Sequence, residues 1–298
     1  MSITDDYMTD DAEGPAWRLL LGDSCERMAE IPSDSVGLSV YSPPFASLFT
    51  YSPSPRDLGN STSRGEFLEH YGYIIRENLR VTMPGRICAV HVQQLTTTKA
   101  TNGIIGLTDF RGDVIRAYVD NGWIFHGEVT VDKDPQAQAI RTKAQALMFV
   151  TKNRDSSMTR PALADYLLLF RKPGDNLTAI KNDVSNEEWI EWARPVWLDI
   201  RETNTLNARV ARDDADEKHI CPLQLDFIAR VIRLWSNVGD TVLTPFAGIG
   251  SEVHEAVRLG RRGLGIELKP SYWRTAVDNL SRLDAEMSLP TLFDEAAS

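Results

Sequence analysis

The sequence predicts an α/β protein in which a mixed, mostly parallel β-sheet carries helices on both faces. Short apolar runs alternate with amphipathic helical stretches along most of the chain, which is the pattern of βαβ units. The clearest runs are Val36–Tyr41, Ile87–Val92 and Gly263–Glu267. With 298 residues, of which 42% are hydrophobic, the chain is long enough to bury one sizeable core.

Each element of the N-terminal half has its own signal. The strand Val36–Tyr41 ends at Ser42-Pro43-Pro44-Phe45, because two prolines cannot continue a sheet ladder. Apolar residues at helical spacing predict a helix over Glu66–Met83, which Pro84-Gly85 should end. The Ser/Pro/Gly-rich residues 47–65 between them predict a mobile loop. Further along, a helix is expected at Phe110–Asn121 and strands at Trp123–Val131 and Asp165–Phe170.

The C-terminal third shows the most regular alternation. It begins with an amphipathic helix over Leu223–Ser236 and a strand over Thr241–Leu243. A turn with two glycines leads into the helix Ser251–Leu259, for which Gly260 is a suitable C-terminal cap. Residues 174–216, which are polar and contain three tryptophans, are predicted to form a small separate lobe inserted in this sheet.

The turn Thr244-Pro245-Phe246-Ala247-Gly248-Ile249-Gly250 has the character of a nucleotide-binding loop. Glycines at a strand-to-helix turn let the backbone approach a ligand, and a carboxylate on the next strand can bind both ribose hydroxyls. Glu267 stands 17 residues after Gly250. The helix start lacks a third glycine, so a close phosphate approach is disfavoured. A cofactor with an adenosine but no phosphate fits better, which makes S-adenosyl-L-methionine the candidate.

Ser42-Pro43-Pro44-Phe45 suggests a reaction at an exocyclic amine. The lone pair of such an amine is delocalised into its ring, and two hydrogen-bond acceptors for the amino hydrogens would localise it on nitrogen. The Ser42 hydroxyl and the rigidly held Pro43 carbonyl are candidate acceptors. Phe45 could stack on a flipped-out base. No metal or covalent nucleophile is required, since catalysis by positioning suffices.

These two motifs resemble the amino-group DNA methyltransferases of permuted motif order, the β class. In that family a (Asp/Ser/Asn)-Pro-Pro-(Tyr/Phe) motif precedes the Phe-x-Gly-x-Gly motif, as it does here. Four further segments are similar to family segments in the same order: Leu21-Gly22-Asp23-Ser24, Glu217-Lys218-His219-Ile220-Cys221-Pro222, Gly265-Ile266-Glu267-Leu268 and Ser271-Tyr272. The resemblance implies a Rossmann-like, S-adenosylmethionine-dependent methyltransferase fold, with the inserted residues 174–216 as the candidate target-recognition region.

The resemblance also assigns candidate site residues. The catalytic set is Ser42, Pro43, Pro44 and Phe45. The cofactor-binding set is Asp23, Ser24, Lys218, His219, Thr244, Pro245, Phe246, Gly248, Gly250 and Glu267. Two departures stand out: Thr244 occupies a position that is usually Asp, and Gly250-Ser251-Glu252 lacks the usual threonines.

Serine at the first motif position resembles the motif of the cytosine-N4 enzymes, so cytosine N4 is the expected target. Adenine N6 is the alternative, and an RNA or small-molecule methyltransferase or an inactive DNA-binding relative remain open. Methylation of cytosine C5 is excluded, because that reaction needs a cysteine after a proline in the catalytic loop. Cys221 precedes its proline and lies elsewhere in the chain.

A formal charge of −10 argues at first against a polyanionic partner. Residues 1–13 and 284–298 hold nine of the 42 acidic side chains and no basic one, so these two segments are predicted to be flexible acidic tails. The catalytic domain 14–283 is then nearly neutral. A basic insertion at 133–164 supplies candidate contacts to double-stranded DNA: Lys133, Arg141, Lys143, Lys152, Arg154 and Arg160.

The remaining expectations concern compartment and partners. Three scattered cysteines suit a reducing cytoplasm, and the absence of an apolar 18-residue run excludes a membrane span. The resemblance implies a bacterial or phage-encoded enzyme of a restriction, regulatory or phage-protection system. Members of the family often dimerise, which makes a homodimer one expected assembly. The apolar Leu289–Phe293 is a candidate docking segment for a partner such as a sliding clamp.

Overall fold

The computed structural model describes residues 8–44, 64–97, 99–136, 138, 152–153, 155, 159–206 and 222–289. The strands within these ranges are β1 (Asp10–Gly14), β2 (Trp17–Leu21), β3 (Val36–Tyr41), β4 (Thr82–Gln93), β5 (Leu95–Thr97), β6 (Gly106–Thr108), β7 (Ile124–Val131), β8 (Asp165–Arg171), β9 (Val196–Trp197), β10 (Thr241–Thr244) and β11 (Arg262–Glu267). The helices are α1 (Ser24–Arg27), α2 (Arg64–Val81), α3 (Lys99–Asn102), α4 (Phe110–Asp120), α5 (Asn186–Trp192), α6 (Leu225–Trp235), α7 (Ser251–Arg258) and α8 (Pro270–Met287).

Nine of these strands form one mixed sheet in the order β1-β2-β11-β10-β3-β4-β8-β7-β9. The run from β2 to β4 is parallel, whereas β1, β8 and β7 pair antiparallel with their neighbours and β9 pairs parallel with β7. The mixed, mostly parallel sheet that the sequence predicted is therefore confirmed. No helix in the described ranges is long and apolar enough to cross a membrane.

Helices cover both faces of the sheet, as the alternation predicted. On one face, α2 and α4 bury aromatic and aliphatic side chains against the strands, among them Phe67, Tyr71 and Tyr118. On the other face, α6, α7 and α8 pack residues such as Phe227, Val253 and Leu280. The central strands are buried on both sides, because successive residues of β4 and β8 alternate between the two cores.

The predicted helix Glu66–Met83 ends earlier than expected, because Thr82 already belongs to β4. Pro84 and Gly85 were interpreted as the stop signal, yet both lie inside β4. The ladder between β4 and β8 begins only at Ile87, so the missing N–H of Pro84 leaves no gap in it. Gly85 adopts a left-handed φ of 73°, which suits the irregular pairing with β3 at this point.

The prediction of flexible acidic tails is partly wrong. Asp10–Gly14 is a strand paired with β2, and the Asp11 carboxylate forms ion pairs with Arg18 and Arg27. At the other end, Asp284 lies in α8 and accepts a hydrogen bond of 2.7 Å from the Trp17 indole nitrogen. Counting charges identified the acids but not their basic and indole partners. Residues 1–7 and 290–298, which include most of the apolar candidate docking segment, lie outside the described ranges.

The predicted separate lobe at 174–216 is also corrected where it is described. Strand β9 extends the main sheet beside β7, and Trp197 is only 1% exposed, in the core against Phe227. The segment was interpreted as a lobe because its composition is polar, and a two-residue strand leaves no periodicity to detect. Trp189 on α5 is about half exposed, outside that core. Residues 207–216 lie outside the described part.

A buried ion pair joins the amino-terminal ends of the central strands. Arg86 on β4 is fully buried, and its Nη1 lies 3.0 Å from Oδ2 of Asp240, which directly precedes β10. Between them runs β3, where a Cβ at Gly37 would come within 2.8 Å of Asp240. Removing one partner of such a pair leaves an uncompensated buried charge.

The exchange Asp240→Ala should therefore lower the free energy of unfolding by about 3–5 kcal/mol. Adding Arg86→Met in the same chain should restore part of this loss, because the unpaired charge disappears. Urea unfolding of the single and double variants measures both effects. A double variant less stable than Asp240→Ala would contradict the interpretation.

Candidate functional site

The candidate site lies along one edge of the sheet, where five parallel strands end. The carboxyl ends of β2, β3, β4, β10 and β11 share this edge, because their pairing is parallel throughout. The antiparallel β8 begins there, with Asp165 opposite Gln93. Ligands of open α/β sheets bind outside such an edge. The predicted residues Ser42, Asp23 and Glu267 all follow or end these strands.

Backbone and hydroxyl bonds tie three distant segments together at this edge. The amide of Gly22 donates to the Glu267 carbonyl at 2.9 Å. The Ser24 hydroxyl donates to the Pro245 carbonyl at 2.5 Å. Asp23 caps α1 by accepting from the Cys25 amide, which holds its carboxylate at the same corner. The three segments that the resemblance assigned to one cofactor thus meet in space.

The two glycines of the loop after β10 have different roles. A Cβ at Gly248 would meet nothing within 4 Å, so this position borders open space. A Cβ at Gly250 would come within 3.1 Å of the Ala276 side chain on α8. Gly250 also starts α7 with a left-handed φ of 88°. Gly248 is therefore open to a ligand, whereas Gly250 is required by the turn and by helix packing.

The Glu267 carboxylate lies at the rim of this open space. One oxygen accepts from the Gly248 amide at 2.7 Å, and the other accepts from the Lys269 amide at 2.9 Å. A carboxylate oxygen can accept more than one hydrogen bond, which suits this group to ligand hydroxyls as well. Carboxylate, glycine loop and Asp23 together suit the ribose and base of a nucleoside.

Two polar groups behind the loop are buried, and few polar interactions offset their loss of contact with water. The Thr244 hydroxyl oxygen is buried without a hydrogen-bond partner in the described ranges. Glu252 on the first turn of α7 is also buried, and its burial raises its pKa to about 8, with the negative charge of Glu267 acting in the same direction. Both residues are departures from the family motif, and the neutral carboxyl at 252 is a consequence of burial that the sequence could not reveal.

The catalytic motif adjoins the cofactor loop through an aromatic contact. The ring of Tyr41, which ends β3, packs on Phe246 with centroids 5.6 Å apart. The Tyr41 hydroxyl is held in a buried cluster with the hydroxyls of Tyr71 and Tyr118. Pro43 is buried and Pro44 partly buried, as expected for a rigid turn. Phe45, the predicted stacking residue, lies outside the described residues, as do residues 47–63 of the predicted loop.

Ser42 contacts a buried network of side chains that the sequence motifs do not predict. Its Oγ lies 3.2 Å from Nδ1 of His91 and 3.3 Å from the His91 carbonyl. Nε2 of His91 lies 2.9 Å from Asp165, and Nζ of Lys133 lies 2.6 Å from the same carboxylate oxygen. These side chains come from β4, β8 and the segment after β7. Only the position of each residue at a strand end could have indicated the contact.

The residues predicted to contact DNA differ in their burial and in their partners. Lys133 is only 7% exposed and is paired with Asp165, so its prediction as a phosphate contact is corrected. Arg160 is partly buried and donates to the Gly106 carbonyl, while Lys152 is exposed. The other predicted residues outside the described ranges are Arg141, Lys143, Arg154, Lys218 and His219. No cluster of metal-ligating side chains is found in the described ranges.

Comparison with known proteins identifies a family and related sequences. A family model described as DNA methylase matches residues 36–278. Type II methyltransferase M.MjaI of Methanocaldococcus jannaschii is 23% identical over 286 residues, which cover 85% of this chain and 88% of that protein. Type II methyltransferase M.BglI of Bacillus subtilis is 34% identical over 117 residues. That match covers 39% of this chain and 30% of M.BglI, so the chain spans less than a third of that relative.

Solved structures share the fold over almost the whole chain. The protein TTHA0409 of Thermus thermophilus, crystallised with S-adenosyl-L-methionine, superposes with a TM-score of 0.66 and 25% identity, over 88% of this chain and 94% of that one. PvuII DNA methyltransferase, which is cytosine-N4-specific, superposes with a TM-score of 0.61 and 16% identity, over 94% of each chain. The Rossmann-like methyltransferase fold is thereby confirmed.

The raised pKa of Glu252 makes folding stability depend on pH. The folded chain keeps this proton between pH 4.5 and about 8, whereas the unfolded chain loses it, so stability falls as pH rises through that window. Relative to wild type, Glu252→Gln should gain about 3 kcal/mol between about pH 5 and about pH 8. Urea unfolding across this range measures the gain.

Glu255→Gln is a matched control on the same helix. Burial acts to raise the pKa of Glu255, but His254 and Arg258 hold it below its ordinary value. This variant should therefore keep the fall in stability towards pH 8 that Glu252 causes. Equal pH slopes for wild type and Glu252→Gln would refute the buried neutral carboxyl.

Proposed function

The chain belongs to the DNA methylase family, and on that premise we propose that it methylates the N4 amino group of a flipped-out cytosine in DNA. The methyl donor in this proposal is S-adenosyl-L-methionine. The observation that carries it is the position of Ser42 beside the glycine loop, at the edge where β3, β10 and β11 end. A base presented to Ser42 would face a cofactor held by the loop after β10.

The residues present fit S-adenosyl-L-methionine. Open space borders Gly248, and the Glu267 carboxylate beside it has lone pairs for ribose hydroxyls. Asp23 at the adjoining corner suits the adenine amino group, and the buried, unpartnered hydroxyl of Thr244 lies just before the loop in the described part of the chain. When bound, this cofactor supplies a methyl group on a positively charged sulfur, which needs no metal or covalent enzyme intermediate for transfer.

The residues of this chain then act by holding the amine. The Ser42 hydroxyl oxygen and the Pro43 carbonyl would each accept one amino hydrogen, which localises the lone pair on nitrogen. The buried Pro43 and the Tyr41 ring, packed on Phe246, keep this turn rigid relative to the loop. Holding the reactants at a fixed distance and angle can lower the activation barrier of a group transfer by a large part.

The choice of cytosine rests on Ser42. Serine at this position resembles the catalytic motif of the cytosine-N4 enzymes, whereas adenine-N6 enzymes usually carry Asp or Asn there. Exposed basic side chains such as Lys152 would contact DNA phosphates, whereas the flipped-out base would bind beside Ser42.

Incubation with tritium-labelled S-adenosyl-L-methionine tests this function. Genomic DNA from a host without DNA methyltransferases should take up label, and total RNA should not. Mass spectrometry of the digested DNA should detect N4-methylcytosine. Label in RNA alone, or in neither polymer, would refute the proposal. Detection of N6-methyladenine instead of N4-methylcytosine would identify adenine as the methylated base.

Ser42→Ala should lower the single-turnover rate of methyl transfer by about 100-fold, because one acceptor for the amino hydrogens is lost. Cofactor affinity, measured by calorimetry, should stay the same. The control Ser35→Ala changes a serine outside the site, whose hydroxyl donates to the Pro32 carbonyl. An unchanged rate in Ser42→Ala would contradict the role assigned to this residue.

Glu267→Gln should weaken the binding of S-adenosyl-L-methionine by about 10-fold, because a charged acceptor for ribose hydroxyls becomes a neutral one. Both carboxylate oxygens also accept from backbone amides, so thermal unfolding of the variant checks that the loop after β10 is intact. Glu286→Gln, on the exposed last turn of α8, is the matched control. Calorimetric titration measures both, and equal affinities would exclude Glu267 as a cofactor ligand.

A further inference from the structure

We propose that His91, supported by Asp165 and Lys133, is a positioning residue that accepts, through Ser42, the proton which the target amino group loses. This inference rests on the proposed function. It extends that function, because it assigns a destination for the proton and a role to three buried polar side chains. None of the three belongs to either sequence motif.

These side chains form consecutive contacts that lead from Ser42 into the protein interior. The Ser42 hydroxyl lies 3.2 Å from Nδ1 of His91 and 3.3 Å from its carbonyl, so its hydrogen is directed towards that residue. The opposite ring nitrogen, Nε2, lies 2.9 Å from Oδ2 of Asp165. That contact is at ion-pair distance without a straight hydrogen-bond angle, as is common before substrate binds.

Charge in the network favours an open lone pair on Nδ1. Burial acts to raise the pKa of Asp165, but His91 and Lys133 together hold it below its ordinary value. The ionised Asp165 carboxylate attracts the ring proton to Nε2. Nδ1 is then left as an acceptor beside Ser42.

The surroundings of the ring support the same assignment. Asp165 from β8 is a charged group in contact with the ring, and Lys133, after β7, is the second partner of that carboxylate. Helix α6 contributes the uncharged Phe227, whose ring packs at 78° to the imidazole. Gln93 donates to the other Asp165 oxygen at 2.8 Å. Each oxygen of Asp165 therefore has a fixed partner, which leaves the carboxylate little freedom to turn away from His91.

The proton leaves the amino group as the new carbon–nitrogen bond forms. The amino nitrogen forms a bond to the methyl carbon while the carbon–sulfur bond breaks and its electron pair stays on sulfur. The nitrogen now carries a positive charge and one excess proton. That proton passes to the Ser42 oxygen as the Ser42 hydroxyl proton passes to Nδ1 of His91. The products are a neutral methylated base and an imidazolium beside the Asp165 carboxylate.

His91→Asn tests this assignment, because an Asn side chain can still bond Ser42 near the Nδ1 position but cannot take up a proton. The single-turnover rate with unmethylated genomic DNA should fall by about 10- to 100-fold. The affinity for S-adenosyl-L-methionine and the KM for DNA should stay unchanged. Asp165→Asn should show a smaller fall, because the imidazolium loses its counter-charge but His91 remains.

The pH profile separates this role from a merely structural one. The wild-type rate should fall towards acidic pH, and this acid limb should be absent in His91→Asn, which has no imidazole beside Ser42. The exposed His126 on β7 provides a matched control, since His126→Asn should keep both rate and acid limb. Thermal unfolding of all variants checks that each is folded.

The ring tautomer gives a readout that needs no turnover. NMR of the ¹⁵N-histidine-labelled protein at neutral pH should show His91 with its proton on Nε2 and none on Nδ1. A proton on Nδ1 would overturn the proposal, as would a His91→Asn enzyme that matches wild type in rate and pH profile. If wild type transfers no methyl group to DNA, the proposed function fails and this inference fails with it.

Discussion

Parallel pairing between β3 and β10 is the constraint on which the site depends. The two strands are about 200 residues apart in sequence, yet Leu38 stands opposite Val242 and Ser39 opposite Leu243. Both strands are buried on their two faces, so a slip by one residue would exchange every side chain between the cores. Continued to the strand ends, this fixed register puts Ser42 level with Phe246, and the contact of Tyr41 with Phe246 is consistent with it.

The change from parallel to antiparallel pairing at β4 gives the site its second component. Because β8 runs opposite to β4, its first residue, Asp165, meets the end of β4 rather than its start. His91 and Lys133 then approach the same carboxylate. Burying ionised groups is costly unless each has a partner, and such networks add little stability over apolar residues. A chemical role for the network accounts for its presence better than stability does.

The sequence predicted the fold well where the signals were local. Proline and glycine turns located the ends of β3 and β10, and Glu267 was predicted from the carboxylate that closes a strand. The contacts of His91 and Asp165 could not be predicted, because both residues stand at the ends of apolar runs and 74 positions separate them. Lys133 was misassigned because a charge count does not distinguish a buried pair from a surface contact. Strand β1 was missed because its acids were interpreted without their partners.

We infer that the carboxyl ends of β3, β10 and β11 form one site for cofactor and base. A crystal structure of the protein with S-adenosyl-L-methionine tests this most directly. We expect a ribose bound by Glu267 next to Gly248, with the sulfonium methyl group directed towards Ser42. Density for the cofactor at another edge of the sheet, or a methyl group directed away from Ser42, would contradict it.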